Sequence, residues 1–197
     1  AAPRVVADIT PVQSLVAAVM QGAGVPARIV PQAASPHGLT MRPSQAQTLA
    51  EADIVFTVGE DLVPWLVEAA GTLAPNAVLI ELGEIPGLFH VAPDGGDAAD
   101  HDHDHGNDHG NGDPHYWLDP RNAALWADAI AGALAAVDPA QTALYLANAA
   151  QLKTELTALE DELRAAPAPL PVSATHLTRP TPSPSSPSLL PLPPDDN

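Results

Sequence analysis

The chain has 197 residues, a formal net charge of −17 and no cysteine. These features exclude thiolate zinc sites, disulfide scaffolds and thiol catalysis, and the seven basic residues, no two adjacent, exclude a phosphate-binding surface for nucleic acid. Hydrophobic residues make up 46 % but aromatics only 4 %, so the core must be built from Val, Leu, Ile and Ala.

Residues 4–9, RVVADI, read as a short buried strand. Thr10 then stands as a helix N-cap with Pro11 in the first turn. Val12, Leu15, Val16, Val19 and Met20 follow with the spacing of one apolar helix face, and Gly22 and Gly24 end it. ARIVP (27–31) reads as a second strand, followed by the loop QAASPHGLTM and a helix over 43–52. DIVFTV (53–58) gives a third strand with a helix over 62–73, and AVLIE (77–81) gives a fourth. This alternation predicts an α/β fold, a parallel four-stranded sheet flanked by helices.

Residues 83–114 break the rhythm and read as a long solvated Gly/Asp/His loop, its His/Asp-rich part spanning 90–112. Asp119-Pro120 restarts helix, with Trp126, Ile130 and Leu134 on one face. Asp138-Pro139 opens a longer helix over 138–166, whose stripe Tyr145, Ala149, Leu152, Leu156, Leu159 and Leu163 predicts ordinary helix packing. Many of the 23 prolines crowd into 167–197, a Pro/Ser-rich stretch that predicts disorder. The expected division is therefore a lobe over 1–137, a long helix over 138–166 and the tail.

Five of the eight histidines lie between His101 and Pro120, and imidazole is the commonest protein metal ligand. His101, His103, His105 and His109 have only Asp, Gly and Asn beside them. His115 is framed by Pro114 and by Tyr116-Trp117-Leu118, and His37 by Pro36 and Gly38. Ligands of an open parallel sheet bind beyond the carboxyl ends of its strands. Loops after the second and fourth strands can bring His37 and His115 to that edge. Zinc takes four ligands, or three and a water. Glu60 and Asp113 are the carboxylates within reach in sequence. Catalysis is not expected. His105 stands where an H-x-H-x-D-H hydrolase motif needs Asp, no glycine loop follows the first strand, and no G-x-S-x-G elbow is present.

Together, ASPHGLTMRPSQAQTLAEADIVFTVGEDLVPWL and DPHYWLDP resemble the zinc and manganese substrate-binding proteins of bacterial ABC transporters, in particular their zinc-uptake members. The resemblance covers roughly residues 4–166. It implies a metal receptor of the periplasm or cell surface that delivers Zn2+, less readily Mn2+, to an inner-membrane ABC permease, as a monomer and without bond-making chemistry. It also implies that His37 and His115 bind metal directly, with His101, His103, His105 and His109 as an auxiliary collecting loop. Pro36 replaces a carboxylate that some members carry there. Such proteins have a second lobe after the long helix, and set against that pattern the sequence is expected to represent the first lobe and long helix only. LPVSATH (170–176) resembles a remnant of its first strand, with His176 near the third ligand position, and the tail beyond reads as frame-shifted translation. The alternative reading is a stand-alone histidine-rich metal buffer or chaperone, which would bind several equivalents with little selectivity.

Overall fold

The computed structural model describes residues 2–32, 34–90 and 113–166. His101, His103, His105, His109 and His176, the stretch 91–112 and the tail expected over 167–197 lie outside the described residues.

Four strands, β1 (Val5–Ala7), β2 (Ala27–Arg28), β3 (Ile54–Thr57) and β4 (Val78–Glu81), form one parallel sheet in the order β2-β1-β3-β4. Val5 pairs with Ile54 and Ala7 with Phe56, while Ile54 pairs with Val78 on its other side. All residues of β1 and β3 are buried, as the unbroken apolar runs of a sheet covered on both faces require. The helices are α1 (Thr10–Val19), α2 (Pro43–Ala50), α3 (Pro64–Leu73), α4 (Pro120–Val137) and α5 (Thr142–Ala165). Helices α1, α4 and α5 pack on one another, and α2 packs on α3. Val12, Val16 and Val19 of α1 and Trp126, Ile130 and Leu134 of α4 are fully enclosed.

Local chemistry revises several boundaries. Thr10 is not the cap of α1. Ile9 takes that position with no side-chain bond, and the Thr10 hydroxyl accepts instead from the Arg28 guanidinium at 2.9 Å. Helix α3 begins at Pro64 rather than Leu62. The amides of Leu62 and Val63 both turn back to the Gly59 carbonyl, and Pro64, lacking an N–H, suits the first turn. Gly59 holds φ +127°, a backbone region costly to any other residue. Asp119 does cap α4, accepting from the Arg121 amide at 2.8 Å. Asp138 does not cap α5. A short 3-10 turn, Pro139–Gln141, intervenes, and the Asp138 carboxylate accepts from the Tyr145 hydroxyl at 3.1 Å. Burial, with Asp138 adding to it, raises that phenol to about 12.

The stripe along α5 is buried only in its first half. Tyr145 and Ala149 are enclosed, whereas Leu159 is 44 % and Leu163 57 % exposed, so packing among the described residues does not account for its far end. Asn148 ties the packed half to α1, donating to the carbonyls of Val19 and Gln21.

One buried acid fastens the sheet's centre. Asp8, following β1, is 0 % exposed, and burial raises its carboxyl to about 6 despite hydrogen bonds from Val58, Ile9 and Thr57. A carboxyl whose folded pKa exceeds its unfolded value favours the folded state more as pH falls through that folded value. Wild type should therefore gain stability relative to Asp8→Asn between pH 7 and 5, on the order of 1 kcal/mol. Denaturant unfolding of both proteins across that range checks it.

Candidate metal site

Open parallel sheets receive ligands outside the strands' carboxyl ends, where the strand order reverses. Here that point lies between β1 and β3, since β2 follows β1 on one side and β3 joins it on the other. Strands β2 and β4 are at opposite edges, so the histidine-bearing segments after them must lean inward to meet.

Both segments touch groups that follow β3. The loop holding His37 is pinned by Trp65 of α3, whose indole N–H donates to the Pro36 carbonyl at 2.8 Å. His37 itself, at the apex beside Gly38, is exposed. On the other side, the Val58 carbonyl after β3 accepts the Gly83 amide at 2.7 Å. A Cβ on Gly83 would lie 2.6 Å from that carbonyl and 3.2 Å from the Tyr116 ring. Glycine is thus what allows Tyr116 to settle over the strand exit, carrying His115 with it.

His115 is oriented twice. Its Nδ1 hydrogen-bonds the Asp113 carboxylate, and its backbone amide donates to the same oxygen at 3.0 Å. The hydrogen bond from His115 holds the Asp113 carboxyl below its ordinary range, so the acid is an ionised acceptor. With Nδ1 turned to that carboxylate, Nε2 is the ring nitrogen left to face an ion. A carboxylate behind one ring nitrogen is the usual support of a metal-binding histidine. The Trp117 ring packs edge-on against the imidazole at 5.1 Å, limiting its rotation.

The carboxylates expected nearby have other placements. Asp113 stands behind His115 as its acceptor, in the position of an orienting group. Glu60 is exposed in the turn after β3, with its amide donating to the Glu81 carboxylate. Burial, then the charges of Asp61, Glu84 and Asp113, raises the Tyr116 phenol, which marks an acidic rim. Among the described residues no three His, Asp or Glu side chains converge closely enough to hold an ion.

The loop expected from residue 83 is ordered further than its composition suggests. Residues Leu82–Glu84 form a 3-10 turn, and Leu88 is buried. Asn122 of α4, 1 % exposed, accepts from the Phe89 amide at 2.7 Å and donates to the carbonyls of Phe89 and Tyr116. Arg121 lies 3.8 Å over the Phe89 ring. His90, singled out by no motif, meets the Tyr116 ring edge-on at 5.4 Å. The segments flanking 91–112 are thus fixed side by side through Asn122.

Comparison with known proteins fits this architecture. The family described as "Zinc-uptake complex component A periplasmic" matches residues 5–179. The chain belongs to this family. It is 36 % identical over 188 residues to the high-affinity zinc uptake system protein ZnuA of Paracoccus denitrificans, covering 85 % of this chain and 58 % of that protein. ZnuA of Brucella abortus is 35 % identical over 190 residues, covering 82 % of this chain and 57 % of that protein. The chain thus spans somewhat over half the length of these relatives. Among solved structures, the periplasmic zinc binding protein TroA from Treponema pallidum shares the fold with a TM-score of 0.68 at 19 % identity, covering 84 % of this chain and 55 % of that one. A manganese-binding lipoprotein, MntA of Halalkalibacterium halodurans, is 27 % identical over 133 residues, 68 % of this chain and 39 % of that protein. No helix among the described residues is long and apolar enough to cross a membrane.

Asn122→Ala would strand the Phe89 amide and the carbonyls of Phe89 and Tyr116 at a buried position. It should cost about 2 kcal/mol and speed hydrogen exchange at Phe89 before that of β3. Exchange followed by mass spectrometry or NMR checks this.

Proposed function

We propose that the chain is the metal-receiving lobe of a zinc-uptake solute-binding protein. It captures Zn2+ outside the cytoplasm, in the periplasm, and hands it to an inner-membrane ABC permease; it makes and breaks no covalent bonds. The supporting observation is the His115–Asp113 pair, a carboxylate behind Nδ1 that leaves Nε2 free at the carboxyl edge of a parallel sheet. Family membership and the zinc-uptake names of the relatives support the choice of cargo. Imidazole ligation favours zinc over manganese, which prefers oxygen donors.

In this reading His115 and His37 bind the ion directly. The loop pinned by Trp65 swings the His37 imidazole toward the β3 exit as the ion arrives. His176 is the candidate within this chain for a third position, and His101, His103, His105 and His109 are an auxiliary arm that collects metal. The acidic rim of Asp61, Glu84 and Asp113, within a chain of net charge −17, draws cations toward the mouth by long-range attraction.

Calorimetric titration of zinc into the purified chain should reveal one preferred equivalent. His115→Ala should weaken it at least 100-fold, and Asp113→Asn about 10- to 100-fold through loss of ring orientation and basicity. His37→Ala should weaken it by a similar factor. Equal binding by wild type and His115→Ala would reject the reading. Several unselective equivalents for zinc, copper and nickel, unaffected by either histidine, would point to a metal buffer.

A further inference from the structure

Outside the residues assigned to the ion, Asp8 is a buried carboxylate at the sheet's carboxyl edge held by three hydrogen bonds. It lies at the seam between β1 and β3, where the strand order reverses. One carboxylate oxygen accepts from the Ile9 amide at 2.6 Å. The other accepts from the Val58 amide at 2.7 Å and the Thr57 hydroxyl at 3.0 Å. From Val58 the contacts are continuous: its carbonyl holds the Gly83 amide, the Tyr116 ring rests on Gly83, and His115 is the next residue.

We infer that Asp8 is a positioning residue for His115, acting through Val58, Gly83 and Tyr116. The ionised carboxylate sets where the exit of β3 lies, and that exit sets where the imidazole stands. Its protonation removes lone-pair capacity from the clasp and loosens the same path. The group is poised to change state, because burial holds it at about 6. The neighbouring charges are otherwise engaged. Arg4 of the β1 segment pairs with Asp53, Arg28 of β2 is held by Thr10 and Gln13, and Glu81 of β4 stands beside Glu60 and Glu84. Strand β3 and helix α1 contain no charged residue. Coupling along such a path is a free energy that can be measured.

The consequence for zinc rests on His115 as a ligand; the path itself does not. In the metal-free full chain, NMR between pH 4.5 and 7.5 should show the Val58 and Gly83 amides sharing one titration step near 6. The Tyr116 ring should show the same step once His90, which touches that ring, is replaced in His90→Gln. That step should vanish in Asp8→Asn, while the Ala149 amide shows none in either protein. Thr57→Val, which keeps the carboxylate but removes one donor, should move the shared midpoint upward and serves if Asp8→Asn folds poorly. A step confined to Val58, or one that survives in Asp8→Asn, overturns the inference. With zinc, Asp8→Asn should bind about 3- to 10-fold more weakly than wild type at pH 7, the lower end of the effect of outer-shell changes. The two should converge at pH 5. A constant deficit at both pH values would be a structural effect only and would overturn it. If wild type has no equivalent that depends on His115, the metal-receptor reading fails, and the NMR step alone decides the path.

Discussion

A carboxylate enclosed between two parallel strands is the constraint around which this lobe is arranged. Two-layer covering of the sheet removes water from its centre, so a charge there must find its solvation in the backbone. Asp8 does so with the Ile9 and Val58 amides and the Thr57 hydroxyl. These donors belong to the ends of both central strands. The same groups that solvate the acid therefore fix β1 against β3 at the strands' carboxyl ends. Elsewhere the centre is held by Val, Ile, Leu and Phe packing, which tolerates sliding better than a three-donor clasp does.

Above that clasp the two histidine segments are secured by different means. The His37 loop is held by the Trp65 indole bond at a half-buried position and by Ala34 and Met41 packing on the core, with His37 itself exposed. The His115 segment is seated on Gly83, locked by Asn122 and backed by Asp113. The His115 imidazole is thus oriented by a carboxylate behind it, whereas the described contacts of the other loop hold its backbone and not the His37 ring. In the function proposed above, an ion that met the oriented His115 first would be bound without the entropy cost of ordering both imidazoles.

Much of the fold was legible because buried parallel strands and amphipathic helices write their periods plainly. RVVADI and DIVFTV carry no competing polar pattern, and Asp119-Pro120 is an unambiguous helix start. Errors came where a side chain found a partner far away in sequence. Thr10 has the composition of a cap, but Arg28 occupies its hydroxyl. Residues 83–90 have loop composition, yet a single Asn more than thirty positions on holds them in place. The motifs located His115, and its prolines and aromatics hinted at rigidity. Asp113 was legible only as a carboxylate in reach, because its role as acceptor depends on a turn conformation that spacing does not encode. Trp65 gave a weak signal: an indole directly after a helix-opening proline is placed near a loop and needs an acceptor. Asp8 gave a stronger one, an acid at the end of an apolar strand.

The positions of the three tryptophans have a spectroscopic consequence. Trp126 is sealed within α4's packed face, whereas Trp65 holds the His37 loop and Trp117 lies against His115. Two of the chain's three indoles thus touch the two histidine segments, and Trp126 provides an internal constant. The protein's own fluorescence is consequently weighted toward the mouth of the lobe, so movement of either segment can be followed by emission without an added label.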